Sequence, residues 1–178
     1  MQQRIAVAVL VALCLATGPV IGDDTEAYDG AHFKRVTFVV ADMERSLQIY
    51  RDILGFDLDG ISDSSAESYS YPVFKIDPEA TIRFATLSAG AEQVRTMALT
   101  EIKGMELPKP GRPHMTATVI RVDDLDAVFA KLEALGLETV PGTVAGVPGE
   151  FQFKERAFVD FDGHLVVLYQ ILPNEKAE

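Results

Sequence analysis

Apolar and polar residues alternate through Arg35–Val36–Thr37–Phe38–Val39–Val40, the pattern of a half-buried strand, and Asp42 follows it at once as a helix N-cap. Leu47, Tyr50 and Leu54 then recur at helical spacing until Gly55, which stands where a helix stop belongs. The same order returns later: a strand at Ala117–Thr118–Val119–Ile120–Arg121–Val122, a cap at Asp124, an apolar stripe of Leu125, Val128, Phe129, Leu132 and Leu135, and a stop at Gly136. Short β-like segments punctuated by Gly, Pro and Asp follow each helix: Ser68–Phe74, Thr81–Leu87 and Gln93–Thr100, then Leu137–Val140, Arg156–Phe161 and Leu165–Ile171. The unit is βαβββ, used twice. One copy would leave a sheet face bare, so the two copies predict a single α+β domain over 32–173, with a polar linker at 23–31 before it and a solvated tail at 174–178.

The N-terminus reads differently. Arg4 precedes the apolar run Ile5 to Ala16, which suits a signal h-region and is shorter than the roughly 20 residues that span a bilayer. Residues 1–22 are therefore expected to be a signal peptide of an exported, periplasmic or secreted protein, with small residues at Ala16, Gly18 and Gly22 as alternative cleavage sites. A retained anchoring helix is the competing reading. Cys14, the chain's one cysteine, lies inside this segment, so a processed chain has no thiol for disulfides, nucleophilic catalysis or metal ligation.

A formal net charge of −11 argues against nucleic acid or an anionic bilayer as partner, because long-range repulsion opposes the encounter. Gly142 to Gly149 holds three glycines with no helix after them, so it is read as a flexible loop at the mouth of the fold and not as a phosphate loop. Caps and turns account for Asp42, Asp124, Asp160 and Asp162. His164, after Asp162–Gly163, is read as an exposed turn residue.

Two segments carry a resemblance. VTFVVADMERSLQIYRDILGF (Val36–Phe56) and AFVDFDGHLVVLYQ (Ala157–Gln170) resemble the opening and closing signatures of the vicinal oxygen chelate superfamily, which includes glyoxalase I, extradiol dioxygenases, methylmalonyl-CoA epimerase, and fosfomycin- and bleomycin-resistance proteins. The resemblance implies two βαβββ modules forming one curved mixed-sheet cup. It also implies a divalent metal held there by two His and two Glu, at positions that here fall on Arg35, Ala117, Ala98 and Val167. None of these offers a metal a lone pair, so no metal and no other cofactor is expected. His32 and His114 each lie an odd number of residues from a vacated position, and a strand sends such side chains to the opposite face unless a bulge intervenes.

Strand parity then gives the lining of the cup: Arg35, Thr37 and Val39; Met115, Ala117 and Val119; Thr96 and Ala98; Leu165, Val167 and Tyr169. Tyr71 with its neighbour Tyr69 either adds an aromatic wall or packs an edge strand, and Gln152 and Glu155 are placed to reach in. This mostly apolar lining suits an organic ligand whose anionic group meets Arg35; alternatively Arg35 pairs with Glu101 or Glu155. Three functions follow: a metal-free binding protein, with a homodimer as the candidate assembly; a metal-free lyase, isomerase or hydrolase in which Arg35, Tyr169 and Glu155 are the catalytic candidates; or a glyoxalase- or dioxygenase-type enzyme with relocated metal ligands.

Overall fold

The computed structural model describes residues 31–147 and 151–173, and the fold set out below belongs to the compact unit that begins at Lys34. The expected signal peptide, the linker as far as residue 30 and the tail from residue 174 lie outside the described residues. In the first repeat, β1 (Val36–Val40) leads into α1 (Met43–Leu47), which continues as a π-turn over Gln48–Ile53. There follow β2 (Asp57–Asp63), a short α2 (Ser70–Phe74), β3 (Thr81–Ser88) and β4 (Met97–Lys103). The second repeat runs β5 (Thr118–Arg121), α3 (Leu125–Ala134), β6 (Glu138–Val147), β7 (Phe151–Val159) and β8 (Leu165–Ile171).

Each repeat makes its own four-stranded sheet, in the orders β1-β4-β3-β2 and β5-β8-β7-β6. The first strand of each runs parallel to the last, and the other pairs are antiparallel. The fold is thus the α+β pair of mixed sheets that the sequence predicts.

The helices form because their caps work. Asp42 and Asp124 each sit in extended backbone and accept a hydrogen bond from the amide three residues on, Arg45 and Ala127, at 3.0 Å. Gly55 and Gly136 end them at φ +77° and +73°, where a Cβ would be strained. The helices face inward onto one hydrophobic core: Phe38, Val40, Leu87, Met97 and Leu99 of the first sheet, Phe158, Val166 and Leu168 of the second, with Met43, Leu47 and Tyr50 before and Leu125, Phe129 and Leu132 after. Each of the larger side chains stabilises the fold by roughly 1.5–3 kcal/mol through burial. Because one core holds residues of both repeats, the repeats fold as one domain.

Two local expectations are corrected. Ser68–Phe74 is not a strand: Ser68 Oγ accepts from the Ser70 amide at 3.2 Å, Pro72 falls in a first turn where its missing N–H is not needed, and Lys75 at φ 55° closes the helix. The strand in that part of the repeat is β2, whose mostly exposed residues carry no apolar alternation to announce it. Residues 142–147 are strand and not loop. A register shift between Val140 and Thr143 absorbs Pro141 and Gly142 as a bulge, and Gly146, at φ +108°, lies so near the Phe151 carbonyl that any Cβ would collide with it.

Candidate functional site

The face of each sheet turned away from the helices is where several of the expected lining residues lie. In the first sheet Thr37 pairs with Ala98, which pairs with Thr86, and Val39 pairs with Thr100, which pairs with Phe84. In the second, Val119 pairs with Val167, which pairs with Ala157, and Arg121 pairs with Tyr169, which pairs with Glu155. The parity read from the sequence therefore places Thr37, Val39, Ala98, Val119, Val167 and Tyr169 on the faces opposite the core.

The two faces are not equivalent. The chain covers the first with its own segments: Tyr71, Ile76 and Ala80 pack with Ile82 and Ile102 into a second cluster against which Val39, Phe84, Met105 and Leu107 lie. Ala98 is only 2% exposed there, and Thr100 is fully buried with a hydroxyl that has no partner. Tyr71, expected as a ligand contact or strand packing, is a core residue whose hydroxyl donates to the Ala80 carbonyl at 2.8 Å. Tyr69 is exposed.

Among the described residues no such cover lies over the second sheet. Val119 is 62% exposed and Val140 45%. Phe153 packs edge-on against Tyr169 at 6.2 Å and touches Phe151 at 5.7 Å, extending the apolar surface along β7. Across it runs one polar row, Arg121–Tyr169–Glu155–Thr143, each member in register with the next. The equivalent row of the first sheet is Val39–Thr100–Phe84–Ser62, since Val39 and Arg121 hold the same place before their capping aspartates. Glu155 is half-buried, and among the described residues no hydrogen bond or ion pair engages its carboxylate, the Arg121 guanidinium or the Tyr169 hydroxyl. Arg121 escaped the sequence reading, although the parity of Ala117 and Val119 extends to it.

Other candidates are placed elsewhere. Arg35 is exposed just ahead of β1. It does not pair with Glu101, because Glu101 points to the helices, accepts from the Met43 amide at 2.8 Å and pairs with Arg83 at 2.7 Å. Thr96, also ahead of its strand, donates to the Gln93 carbonyl. Gln152 has the parity of Lys154 and Arg156, which pair with Asp126 and Glu133 of α3, so it lies on the helix side and not in the cup. Met115 and His114 lie on the connection between the repeats and line a cleft of about 340 Å³ with Val39, His164 and Leu165.

His164 is also not the exposed turn residue expected. Its ring stacks on Phe38 at 4.5 Å and 8°, and Nε2 donates to the Val39 carbonyl at 2.8 Å, tying the second repeat's hairpin turn to β1. The turn is built on Asp160, whose Oδ1 accepts from the amides of Asp162 and His164. Asp162 in turn accepts from the Ala41 amide and from Arg45. The acidic turn residues do serve the turn, and they also join the repeats.

The metal site that the resemblance implies does not fit this chain. Ala98, Ala117 and Val167 have no donor atom and Arg35 carries a positive charge, so the four positions cannot hold a divalent ion. Among the described residues no group of His, Cys, Asp or Glu is arranged to hold one elsewhere, and no helix is long and apolar enough to cross a membrane.

Comparison with known proteins bears on the fold. The family model of the Glyoxalase/Bleomycin resistance protein/Dioxygenase superfamily matches residues 32–168. A glyoxalase family protein from Bacillus cereus superposes with a TM-score of 0.65 at 14% identity, over 83% of this chain and 99% of its own. A glyoxylase/bleomycin resistance protein/dioxygenase domain from Frankia sp. gives 0.56 at 17%, over 82% and 95%. The glyoxalase family protein from Enterococcus faecalis gives 0.51 at 20%, over 78% and 97%. No curated protein matches the chain.

Proposed function

Since the chain belongs to the Glyoxalase/Bleomycin resistance protein/Dioxygenase superfamily, matched over residues 32–168, we propose that it is an exported, metal-independent member that binds a small organic molecule on the uncovered face of its second sheet. The observation that carries this reading is the asymmetry between the repeats: among the described residues the first face is filled by the chain itself, and the second is left open and crossed by an unpaired Arg121–Tyr169–Glu155 row. Exposed apolar surface of this kind, with a few convergent polar groups, is the chemistry of a binding site. Val119, Val167, Ala157 and Phe153 bury the ligand's apolar body, and Arg121 takes an anionic group, the role that the sequence gives to Arg35.

The adjacency of Tyr169 and Glu155 favours a second reading, a metal-free lyase or isomerase in which this pair moves a proton while Arg121 steadies the developing anion.

A thermal-shift screen of aliphatic and aromatic carboxylates tests the proposal. Hits are expected whose affinity drops about tenfold or more in Arg121→Ala, the loss of one charge-assisted hydrogen bond. Hits that survive both Arg121→Ala and Tyr169→Ala overturn it. A second copy of the chain is the competing occupant of this face; a dimer in sedimentation that Val119→Asp dissociates would assign the surface to self-association.

A further inference from the structure

An anionic group held by Arg121 on the open face of the second sheet answers only one of the two free charges there. Three charged residues stand at in-register strand positions of this face, and Glu138, at its far end, is taken by Arg112 at 2.6 Å. Arg121 and Glu155 remain, on either side of Tyr169 in one row. Their backbones stand two strand spacings apart, about 10 Å. Apolar rows flank them, Val119–Val167–Ala157–Val140 on one side and Ile171–Phe153–Ala145 on the other.

A ligand body lying on Tyr169 and these apolar rows excludes water from Glu155, which is already half-buried. A carboxylate stripped of water without a donor is costly, and a ligand that brings only an anion adds repulsion to that cost. Among the described residues no donor engages Glu155: its neighbours Lys154 and Arg156 turn to the helix side, where they pair with Asp126 and Glu133. The donor must therefore come with the ligand. The chain's formal net charge of −11 also opposes the approach of a bare anion, and leaves a molecule of zero net charge unopposed.

Given the open face as the binding site, on which this rests, we propose that its ligand is a zwitterion: an organic molecule whose anionic group meets Arg121 and whose ammonium group meets Glu155, with an apolar or aromatic body between them over Tyr169. The guanidinium offers N–H donors to the anion, and the carboxylate accepts from the ammonium. With about 10 Å between the two backbones, the ligand's charges belong at opposite ends of its body and not on one carbon. Two unlike charges also fix its direction across the row, since the reversed molecule would set like against like.

Isothermal titration calorimetry of the full chain at constant ionic strength compares 4-(aminomethyl)benzoate with 4-methylbenzoate and benzylamine, which keep the ring and drop one charge each. The zwitterion is expected to bind about tenfold or more tightly than either, the worth of one charge-assisted hydrogen bond. In Glu155→Gln its advantage over 4-methylbenzoate is expected to vanish, and in Arg121→Ala its advantage over benzylamine. Equal affinity of the parent chain for 4-(aminomethyl)benzoate and 4-methylbenzoate overturns the zwitterion, while carboxylates that need Arg121 would still keep the open face as the binding site. An advantage that survives Glu155→Gln puts the ammonium elsewhere and overturns it too. If none of the three binds, the zwitterion is overturned, and the carboxylate screen alone decides the open face. The comparison on the parent chain needs no variant, so it stays decisive even where Glu155→Gln does not fold.

Discussion

Tyr50 and Asp160, far apart in the chain, share a buried hydrogen bond of 2.8 Å that joins the helix of the first repeat to the hairpin turn of the second. Both residues are almost fully buried, and the phenol is the only donor to Asp160 Oδ2 among the described residues. Tyr50→Phe removes the donor and keeps the ring, so the expected loss is about 1–3 kcal/mol of folding stability, read from urea unfolding. A variant as stable as the parent would show that water replaces the phenol.

The same residue sets an alkaline limit. Burial, and then the negative charge of Asp160, push the Tyr50 phenol well above its ordinary value near 10. A group whose pKa is raised on folding stabilises the fold fully below its unfolded pKa and loses that contribution as pH rises past it. Stability is therefore expected to fall above about pH 10, and Tyr50→Phe is expected to flatten that decline. Unfolding curves collected between neutral and alkaline pH decide it.

Glu101 sets the acid limit. Burial by itself would raise its carboxyl, but hydrogen bonds from Arg83 and the Met43 amide, with the charges of Arg83 and Lys103, outweigh this and hold it below the usual glutamate range. Its contribution is present above the unfolded pKa near 4.5 and is lost as pH falls through the lower folded value. Glu101→Gln is expected to reduce the acid sensitivity of the fold below pH 4.5 while lowering its stability at neutral pH. Identical acid titrations of parent and variant would overturn the assignment.

The caps give a cleaner measure. Asp42→Ala and Asp124→Ala each remove an acceptor at 3.0 Å from an amide at the start of a helix. About 1 kcal/mol of stability is expected to go with each, with ligand binding unchanged. A stable variant that loses binding would move either residue into the site.

What the sequence made legible was what local chemistry dictates. The strand-cap-helix-glycine order at Asp42 and again at Asp124 depends on residues only a few places apart, and both copies fold as that order requires. Parity along β1, β5 and β8 was likewise enough to put Thr37, Val119 and Tyr169 on the faces away from the core. It was not enough to show which face remains open, because Tyr71 reaches its partner, the Ala80 carbonyl, only once α2 folds over the first sheet. His164 shows the same limit: in sequence it follows a turn, and only tertiary packing sets it on Phe38. Arg35 and Arg121 carry the same charge on strands of alternating pattern. What separates them is that Arg121 lies inside β5, in register with Tyr169, and Arg35 lies ahead of β1.

Addition of divalent metal gives the last prediction. At the family's ligand positions Ala98, Ala117 and Val167 offer no donor and Arg35 repels a cation. Nor do the strand glutamates restore a site, since Glu101 is committed to Met43 and Arg83 on the helix side, and Glu155 on the open face has Arg121 in its own row. A metal that prefers the folded chain raises its stability by mass action, about 2.7 kcal/mol at a hundred times Kd, which moves the Tm of a chain this size by several degrees. Zn²⁺, Ni²⁺, Mn²⁺ and Fe²⁺ are therefore expected to leave the Tm where it stands, as read by calorimetry with and without chelator. A stoichiometric rise abolished by His114→Ala would instead place a relocated metal at the cleft that His114 and His164 line, and would return the chain to the metal-dependent side of its superfamily.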